Sequence, residues 1–429
     1  MSMDYPRFTV IIPQKNRAEY LVHTLKTCMI QEYPNFEVIV SDDCSDDDSV
    51  EVVTKLMKKD PRIRLFAHKE HLGMRDNFEF ALNQVKPGYV MALGGDDGLV
   101  PGGIFRMYEL LKETGKELLT WNTCYYVYPN DDCAKSKFVV QKNTHFETKI
   151  LKSTDFLNRI AKSFRYLVDE CPMFYVTGVA STNLVDRVKS RTPDGKFYYC
   201  PTPDGFSGVV LAGEVEDYAY VSEPLSIMGT TQKSQGKAYH KTDEKSRSAA
   251  EEFFKDNLRI TMHKDLASQP YSPLMPLMTA DYLLTARDLP GWPGKFQMFS
   301  FEDLIKKCFN FLSRSSFENE VLVRELKIIE AIAKQHNCEV LFNELLEKTK
   351  RVYVKDDLFT GFLISRNAVM FDADELGMKN IYDASLAVPF ATRFYNQVTW
   401  NFFMSFIKRS ISAFIRSRRK ITETLPKIN

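Results

Sequence analysis

The N-terminal quarter of the chain alternates short β-branched and aromatic runs with longer segments whose apolar positions recur at helical spacing. Four runs read as strands: Phe8 to Pro13, Phe36 to Ser41, Ile63 to His68 and Tyr89 to Leu93. Helices are expected between them near 17–31, 46–58 and 73–86, and another from Pro101, because proline suits a first helical turn. Strand and helix in strict alternation predict a parallel α/β sheet. From about 117 to 230 the pattern is mixed, with short apolar runs (Glu117 to Asn122, Phe174 to Val179, Tyr218 to Val221) broken by Pro and Gly, and reads as sheet extension and loops. Beyond about 243 it turns mainly helical, with Phe317, Val321, Ile328, Ile329 and Ile332 on one face. The expected organisation is an α/β domain over 1–240 (halves 1–115 and 116–240), a helical domain over 241–390, and a separate tail over 391–429.

A length of 429 residues exceeds one comfortable core and agrees with two domains, or three if the tail stands alone. Hydrophobic residues at 44% and charged residues at 26% are ordinary for a folded globular chain. Lys plus Arg (57) nearly cancels Asp plus Glu (56), which argues against a nucleic-acid binder. The eight cysteines show no Cys-x-x-Cys spacing, so reduced thiols are expected. Cys171 and Cys200 are the pair to watch for a disulfide, which the polar start from Met1 to Arg7, unlike a secretory signal, makes an unfavoured outcome. No run reaches the ~18 to 20 apolar residues of a membrane-spanning helix.

Ligands of open parallel sheets bind beyond the carboxyl ends of the strands. Here those ends are acidic: strand two runs into Ser41-Asp42-Asp43, and strand four into Gly94-Gly95-Asp96-Asp97-Gly98. Either pair alone is equally well a turn or a helix cap. Two pairs on one edge point instead to a shared cation, because clustered carboxylates repel without one and hard oxygens suit Mg²⁺ or Mn²⁺. Such an ion bridges to phosphates, so a diphosphate is the expected partner, with Gly94, Gly95 and Gly98 leaving the backbone open to it. Arg75, after strand three, is a candidate phosphate contact, weighed against a solvated helix-start arginine.

These residues resemble inverting family 2 glycosyltransferases of the GT-A fold, over about residues 7–235. The resemblance rests on the stretch Phe8-Thr-Val-Ile-Ile-Pro-Gln-Lys-Asn-Arg-Ala-Glu-Tyr-Leu21, on the segment from Gln31 to Ser45, and on the aspartate motif Asp96-Asp97. It implies a GT-A, Rossmann-like α/β domain, mostly parallel, followed by a mainly helical C-terminal region. It also implies that Pro13 begins the base-pocket loop, that Asp43 contacts the nucleobase with Asp42 in support, and that Arg75 lies near the nucleotide. Asp96 then faces ribose and Asp97 the metal. The family often carries a further aspartate where this chain has Gly94, which makes the metal site leaner. The acceptor-half base implied is Asp204, in Cys200-Pro-Thr-Pro-Asp-Gly205; Asp194, Glu214, Glu216 and Asp217 are its rivals. The segment from Pro224 to Lys237 resembles the family's closing strand and loop, and His240 after it is a possible third metal ligand. His68 and His71 flank a turn without the partners zinc needs, and Asp372-Ala373-Asp374 reads as a turn or cap.

Between Asp383 and Glu423 there is no acidic residue, yet basic residues recur from Arg393 to Lys420. On a helical wheel Trp400, Phe403, Phe406, Ile407, Ile411, Phe414 and Ile415 face away from most of them, which predicts a basic amphipathic helix at a membrane surface over 393–420. The resulting expectation is a metal-assisted (Mg²⁺ or Mn²⁺), inverting transfer from a nucleotide-sugar donor to a saccharide or lipid-linked acceptor. It would take place in the cytoplasm, peripherally on the inner membrane face, in surface polysaccharide synthesis. The alternatives are a catalytically silent, membrane-tethered scaffold that binds sugar nucleotide, and a sugar nucleotidyltransferase, which would normally show a Gly-rich loop where Pro13-Gln-Lys-Asn-Arg17 stands. Donor, acceptor and linkage are not legible in the chain.

Overall fold

The computed structural model describes residues 5–129, 135–141, 146–234, 252–257, 260–356, 363–364, 368–397 and 418–426. Its N-terminal elements follow the hydrophobic pattern closely. Strands β1 (Phe8–Gln14), β2 (Phe36–Asp42), β3 (Ile63–Ala67) and β4 (Tyr89–Ala92) alternate with helices α1 (Ala18–Met29), α2 (Ser49–Met57) and α3 (Met74–Asn83). The four strands are parallel in the order β3-β2-β1-β4, with Phe8 opposite Phe36 and Tyr89. β1 and β2 are buried on both faces, which is why they read as unbroken apolar runs. The helix expected from Pro101 starts instead at Gly103 (α4, Gly103–Thr114), after a turn in which Gly102 takes φ +75°.

The mixed segment completes this sheet. β6 (Leu118–Trp121), β9 (Thr148–Lys152), β10 (Gly178–Ser181) and β11 (Asp217–Val221) extend it to the order β3-β2-β1-β4-β10-β6-β11-β9, with β10 antiparallel to both neighbours. A second sheet contains β5 (Gly98–Leu99), β7 (Cys124–Val127), β8 (Lys137–Gln141) and β12 (Ser226–Thr230). It lies beneath the carboxyl end of β4, and Ser226 pairs with Leu99. Helices α5 (Ser153–Ser163), α6 (Thr182–Arg191) and α7 (Pro203–Glu214) cover one face of the large sheet.

The later helices are α8 (Met275–Arg287), α9 (Phe301–Leu312), α10 (Asn319–Gln335) and α11 (Glu339–Lys348). One continuous apolar cluster joins Ile11 and Val90 of the sheet through Phe206 and Leu211 to Leu283, Phe309 and Ile329. These helices therefore share the core of the α/β region, and the join near residue 240 does not separate two cores. Three further strands follow: β13 (Lys350–Asp356), β14 (Leu363–Ile364) and β15 (Ala368–Asp372), and β15 pairs with β8 of the second sheet. Asp372 and Asp374 form the turn after it, accepting from Lys135 and Ser136.

The tail corrects the sequence reading. α12 runs from Ile381 to Gln397, and Arg418–Thr424 is a strand, β16, antiparallel to β13 with Lys350 opposite Thr424. Residues 398–417, the centre of the expected helix, lie outside the described residues. Ile421, Thr422 and Thr424 are β-branched, as are Val352 and Val354 opposite, so the pairing suits the local propensity better than a helix does. Cys171 and Cys200 are free, buried thiols.

Candidate active site

The carboxyl edge of the sheet and the start of α7 face each other across a cavity of about 530 Å³. Pro13, Asp43, Gly94, Gly95, Asp96, Asp97 and Asp204 all line it. That volume falls within the range of small-molecule sites. Asp42 and Arg75 do not line it.

Asp43 and Asp42, adjacent in sequence, do different work. Asp42 is buried and accepts from Gln14 Nε2 and from Ser45 N and Oγ (3.0 and 2.6 Å), so it locks β1 to the turn after β2. Asp43 accepts from the amides of Leu72 (2.6 Å) and Gly73 (3.1 Å), which fixes the turn after β3 beside the cavity. His71 Nδ1 sits 2.9 Å from Asp43 Oδ2, and its Nε2 sits 2.9 Å from Asp256 Oδ2. Arg75, the expected phosphate contact, turns instead to Asp76, at 3.1 Å from Nε. It opens α3, whose cavity-facing residues are Met74, Asn77 and Phe78.

Asp96 and Asp97 sit between β4 and β5, 6% and 1% exposed. Asp96 Oδ2 accepts from Arg17 NH1 (3.2 Å), Thr231 Oγ1 (3.0 Å) and Ser234 Oγ (3.2 Å). Asp97 accepts from the amides of Gly94 (2.8 Å) and Gly229 (2.9 Å), and the Tyr175 hydroxyl sits against it. Burial, followed by the charge of Asp96, raises the Asp97 carboxyl to about 7. The two amides and the phenol oppose that rise without cancelling it.

Glycine serves this cluster differently from the expected way. A Cβ on Gly94 would lie 2.5 Å from the Tyr175 hydroxyl, one on Gly95 3.1 Å from Arg17 Cβ, and one on Gly98 3.0 Å from Thr27 Cγ2. Protein side chains, rather than open ligand space, fill the room these glycines leave. Gly229 is the most constrained, since a Cβ there would meet the Asp96 carbonyl at 1.7 Å. That approach brings the Gly229 amide onto Asp97.

Asp204 lies in the first turn of α7, after Pro203 at the helix start. It is partly exposed to the cavity, and desolvation by the surrounding protein raises its carboxyl, opposed by the amides of Gly205 and of Asp204 itself. Close packing sets the position of α7: a Cβ on Gly205 would fall 2.3 Å from the Tyr282 ring, and one on Gly208 2.6 Å from Cys171 Sγ. Glu79 of α3 accepts from the amides of Phe197 (2.8 Å) and Tyr198 (3.0 Å), tying the approach to α7 onto the first half of the sheet. The rival acids are engaged elsewhere. Glu214 pairs with Arg191 at 2.5 Å, Asp217 with Lys116 at 2.5 Å, and Asp194 with the Tyr199 hydroxyl. Neither these nor Glu216 line the cavity.

The two carboxylates are not joined by a third His, Cys, Asp or Glu in any group suited to a metal among the described residues. His240 lies outside those residues. Two adjacent, poorly solvated carboxylates facing a cavity fit a hard cation that keeps waters and accepts phosphate oxygens, rather than a fully protein-ligated ion. The Asp97 carboxyl, raised partly by Asp96, is where a cation would relieve the repulsion. Arg17, Tyr175, His71 and Thr231 were missed by sequence reasoning. Only Arg17 carried a signal, standing three residues past β1 on the acidic edge; the others arrive from elements distant in sequence.

Residues 9–174 match the sequence profile of Glycosyl transferase family 2. Over 109 residues the chain is 34% identical to the GalNAc(5)-diNAcBac-PP-undecaprenol beta-1,3-glucosyltransferase of Campylobacter jejuni, covering 25% of this chain and 35% of that protein. It is 26% identical over 149 residues to the putative teichuronic acid biosynthesis glycosyltransferase TuaG of Bacillus subtilis, 35% of this chain and 58% of that one. Both alignments thus leave a large part of each relative uncovered. Among solved structures, S. aureus TarS 1–349 in complex with UDP-GlcNAc aligns over 84% of this chain and 95% of its own, with TM-score 0.44 and 16% identity.

Proposed function

Taking residues 9–174 as a family 2 glycosyl transferase domain in a GT-A-type α/β fold, we propose that the chain is an inverting glycosyltransferase. It moves a hexosyl or related sugar from a nucleotide-diphosphate donor to a saccharide or lipid-linked saccharide acceptor. The observation that carries this reading is that Asp43, Asp96, Asp97 and Asp204, spread over the chain, line one cavity. The nucleoside lies at the Pro13 and Asp43 end, Asp96 is directed at the ribose, and Asp42 holds the loop beneath. Asp204 accepts the proton of the acceptor hydroxyl as that oxygen bonds to the anomeric carbon from the face opposite the diphosphate. The bond from the anomeric carbon to the diphosphate oxygen breaks, its electron pair leaves with the nucleoside diphosphate, and configuration inverts. Mg²⁺ or Mn²⁺ bound at Asp97 would supply positive charge to the departing diphosphate. Tyr166, Tyr271 and Phe311 on the acceptor side restrict water around Asp204.

None of the helices among the described residues is long and apolar enough to cross a membrane. The basic stretch upstream of β16 would give reversible contact with an anionic membrane surface, each Lys or Arg contributing roughly 1 kcal/mol. The proposed setting is therefore peripheral, on the cytoplasmic membrane face, in surface polysaccharide synthesis, and the basic residues between Arg393 and Lys420 support it.

The test is release of nucleoside diphosphate from a panel of nucleotide sugars with Mn²⁺, using saccharide and lipid-linked acceptors. One donor should turn over, and Asp97→Ala should abolish turnover. Full activity in that variant removes Asp97 from the reading, and nucleotide binding without turnover across the panel favours a silent scaffold.

A further inference from the structure

Tyr175 comes from the loop before β10, far in sequence from the aspartates, yet its hydroxyl reaches the centre of the site. The phenol sits against the Asp97 carboxylate, and the side chain lines the cavity. Its hydroxyl stands 2.5 Å from where a Gly94 Cβ would be, and the same virtual atom lies 2.8 Å from Asp97 Oδ2 and 3.0 Å from Asp96 Oδ1. The space a side chain at position 94 would need is thus filled by an oxygen delivered from another element.

Asp97 has three polar groups around it: the Gly94 and Gly229 amides, one on each carboxylate oxygen, and the phenol. The amides hold the carboxylate to β4 and β12. Of the three, Tyr175 alone is a side chain, and it lines the same cavity as Asp97 and Asp204.

We propose that Tyr175 is the positioning residue of the metal and diphosphate site, its hydroxyl occupying the space left by Gly94 and setting the orientation of Asp97 toward a divalent cation. This rests on the glycosyltransferase reading above. Tyr175 takes no proton in the reaction; it acts through Asp97.

The experiment is isothermal titration of UDP and of GDP into wild type and Tyr175→Phe, each with Mn²⁺ and with EDTA. Phenylalanine keeps the ring packing and removes only the hydroxyl. The expected result is that the nucleotide binding wild type gains from Mn²⁺ falls about tenfold in Tyr175→Phe, while binding in EDTA stays within twofold. A purely structural role would weaken both arms alike, and that outcome, or an unchanged Mn²⁺ gain, overturns the proposal. Gly94→Ala provides a second variant, since its methyl must push the hydroxyl off Asp97; an undiminished Mn²⁺ gain there overturns the proposal too. If wild type binds neither nucleotide with or without Mn²⁺, the glycosyltransferase reading fails and takes this inference with it. If wild type binds with a Mn²⁺ gain and Tyr175→Phe does the same, only the inference fails.

Discussion

The two walls of the cavity are built on opposite principles. The sheet-edge wall is polar and already satisfied: each of Asp42, Asp43, Asp96 and Asp97 accepts two or more hydrogen bonds from the protein itself. The rest of the lining is mainly aromatic and methionine-rich, with Tyr166, Tyr271, Met275, Met278 and Phe311 sharing the cavity with Asp204. There the carboxyl finds only two local amides, and desolvation dominates. Many donors do not by themselves keep a buried carboxylate ionised, since Asp97 on the sheet wall is raised to about 7. Asp204 differs in being sparsely bonded and open to the cavity, and the proposed reading gives proton transfer to it and binding to the sheet wall.

The largest expected effect breaks the acceptor wall at its one acid. Asp204→Asn should lower kcat on the order of 10³-fold while leaving nucleotide affinity within twofold, measured by turnover and by titration. Equal losses in both would place Asp204 on the binding side and erase the contrast. The same carboxyl sets a pH dependence. Because its value is raised and the base must be ionised, activity should fall as pH drops through a point above the usual carboxylate range. In the residual activity of Asp204→Asn that limb should shrink to the contribution of Asp97, whose carboxyl is raised to about 7. A limb identical to that of wild type would assign all of it to Asp97.

A smaller effect concerns the helix behind the acceptor wall. Asp281 of α8 accepts from the His263 amide at 2.7 Å, and burial raises its carboxyl to about 6. The folded state therefore holds that proton more tightly than the unfolded chain does. The cost of ionising it is absent below about pH 4, grows as pH rises to about 6, and is complete above. Asp281→Asn should raise the melting temperature at pH 8, by the equivalent of about 3 kcal/mol, with the gain disappearing near pH 4. A destabilised variant at pH 8 would mean that the hydrogen-bonding role of the carboxylate outweighs its desolvation. The smallest effect is expected at Arg75. Turned to Asp76 and absent from the cavity lining, it should tolerate Arg75→Ala with less than a twofold change in donor KM. A tenfold rise would return it to the donor wall.

Much of this molecule was legible without coordinates. The four parallel strands and their helices followed from apolar periodicity, because strands buried on both faces leave continuous β-branched runs. The acidic edge was legible for the same reason: residues just past a strand inherit their place from it. Side-chain partners were not legible. Arg75 and Asp42 are as polar and as close to strand ends as Asp43, and only the neighbouring side chains decide that Arg75 turns to Asp76 and Asp42 to Gln14. At the end of the tail, an amphipathic wheel over 393–420 cannot register that Lys350–Asp356 offers a strand partner to Arg418–Thr424, while residues 398–417 lie outside the described residues.

Local pattern by itself determined the α/β sheet and the acidic strand ends, because periodicity and turn chemistry are properties of neighbours in sequence, while Asp204 came as what the resemblance implies. Tertiary structure alone decided that a hydroxyl from Tyr175 fills the space over Gly94, that the Gly229 amide reaches Asp97, and that the later helices wall Asp204 in one continuous core. Those contacts join segments many residues apart. Their energy lies in packing and desolvation, which no single stretch of the chain carries.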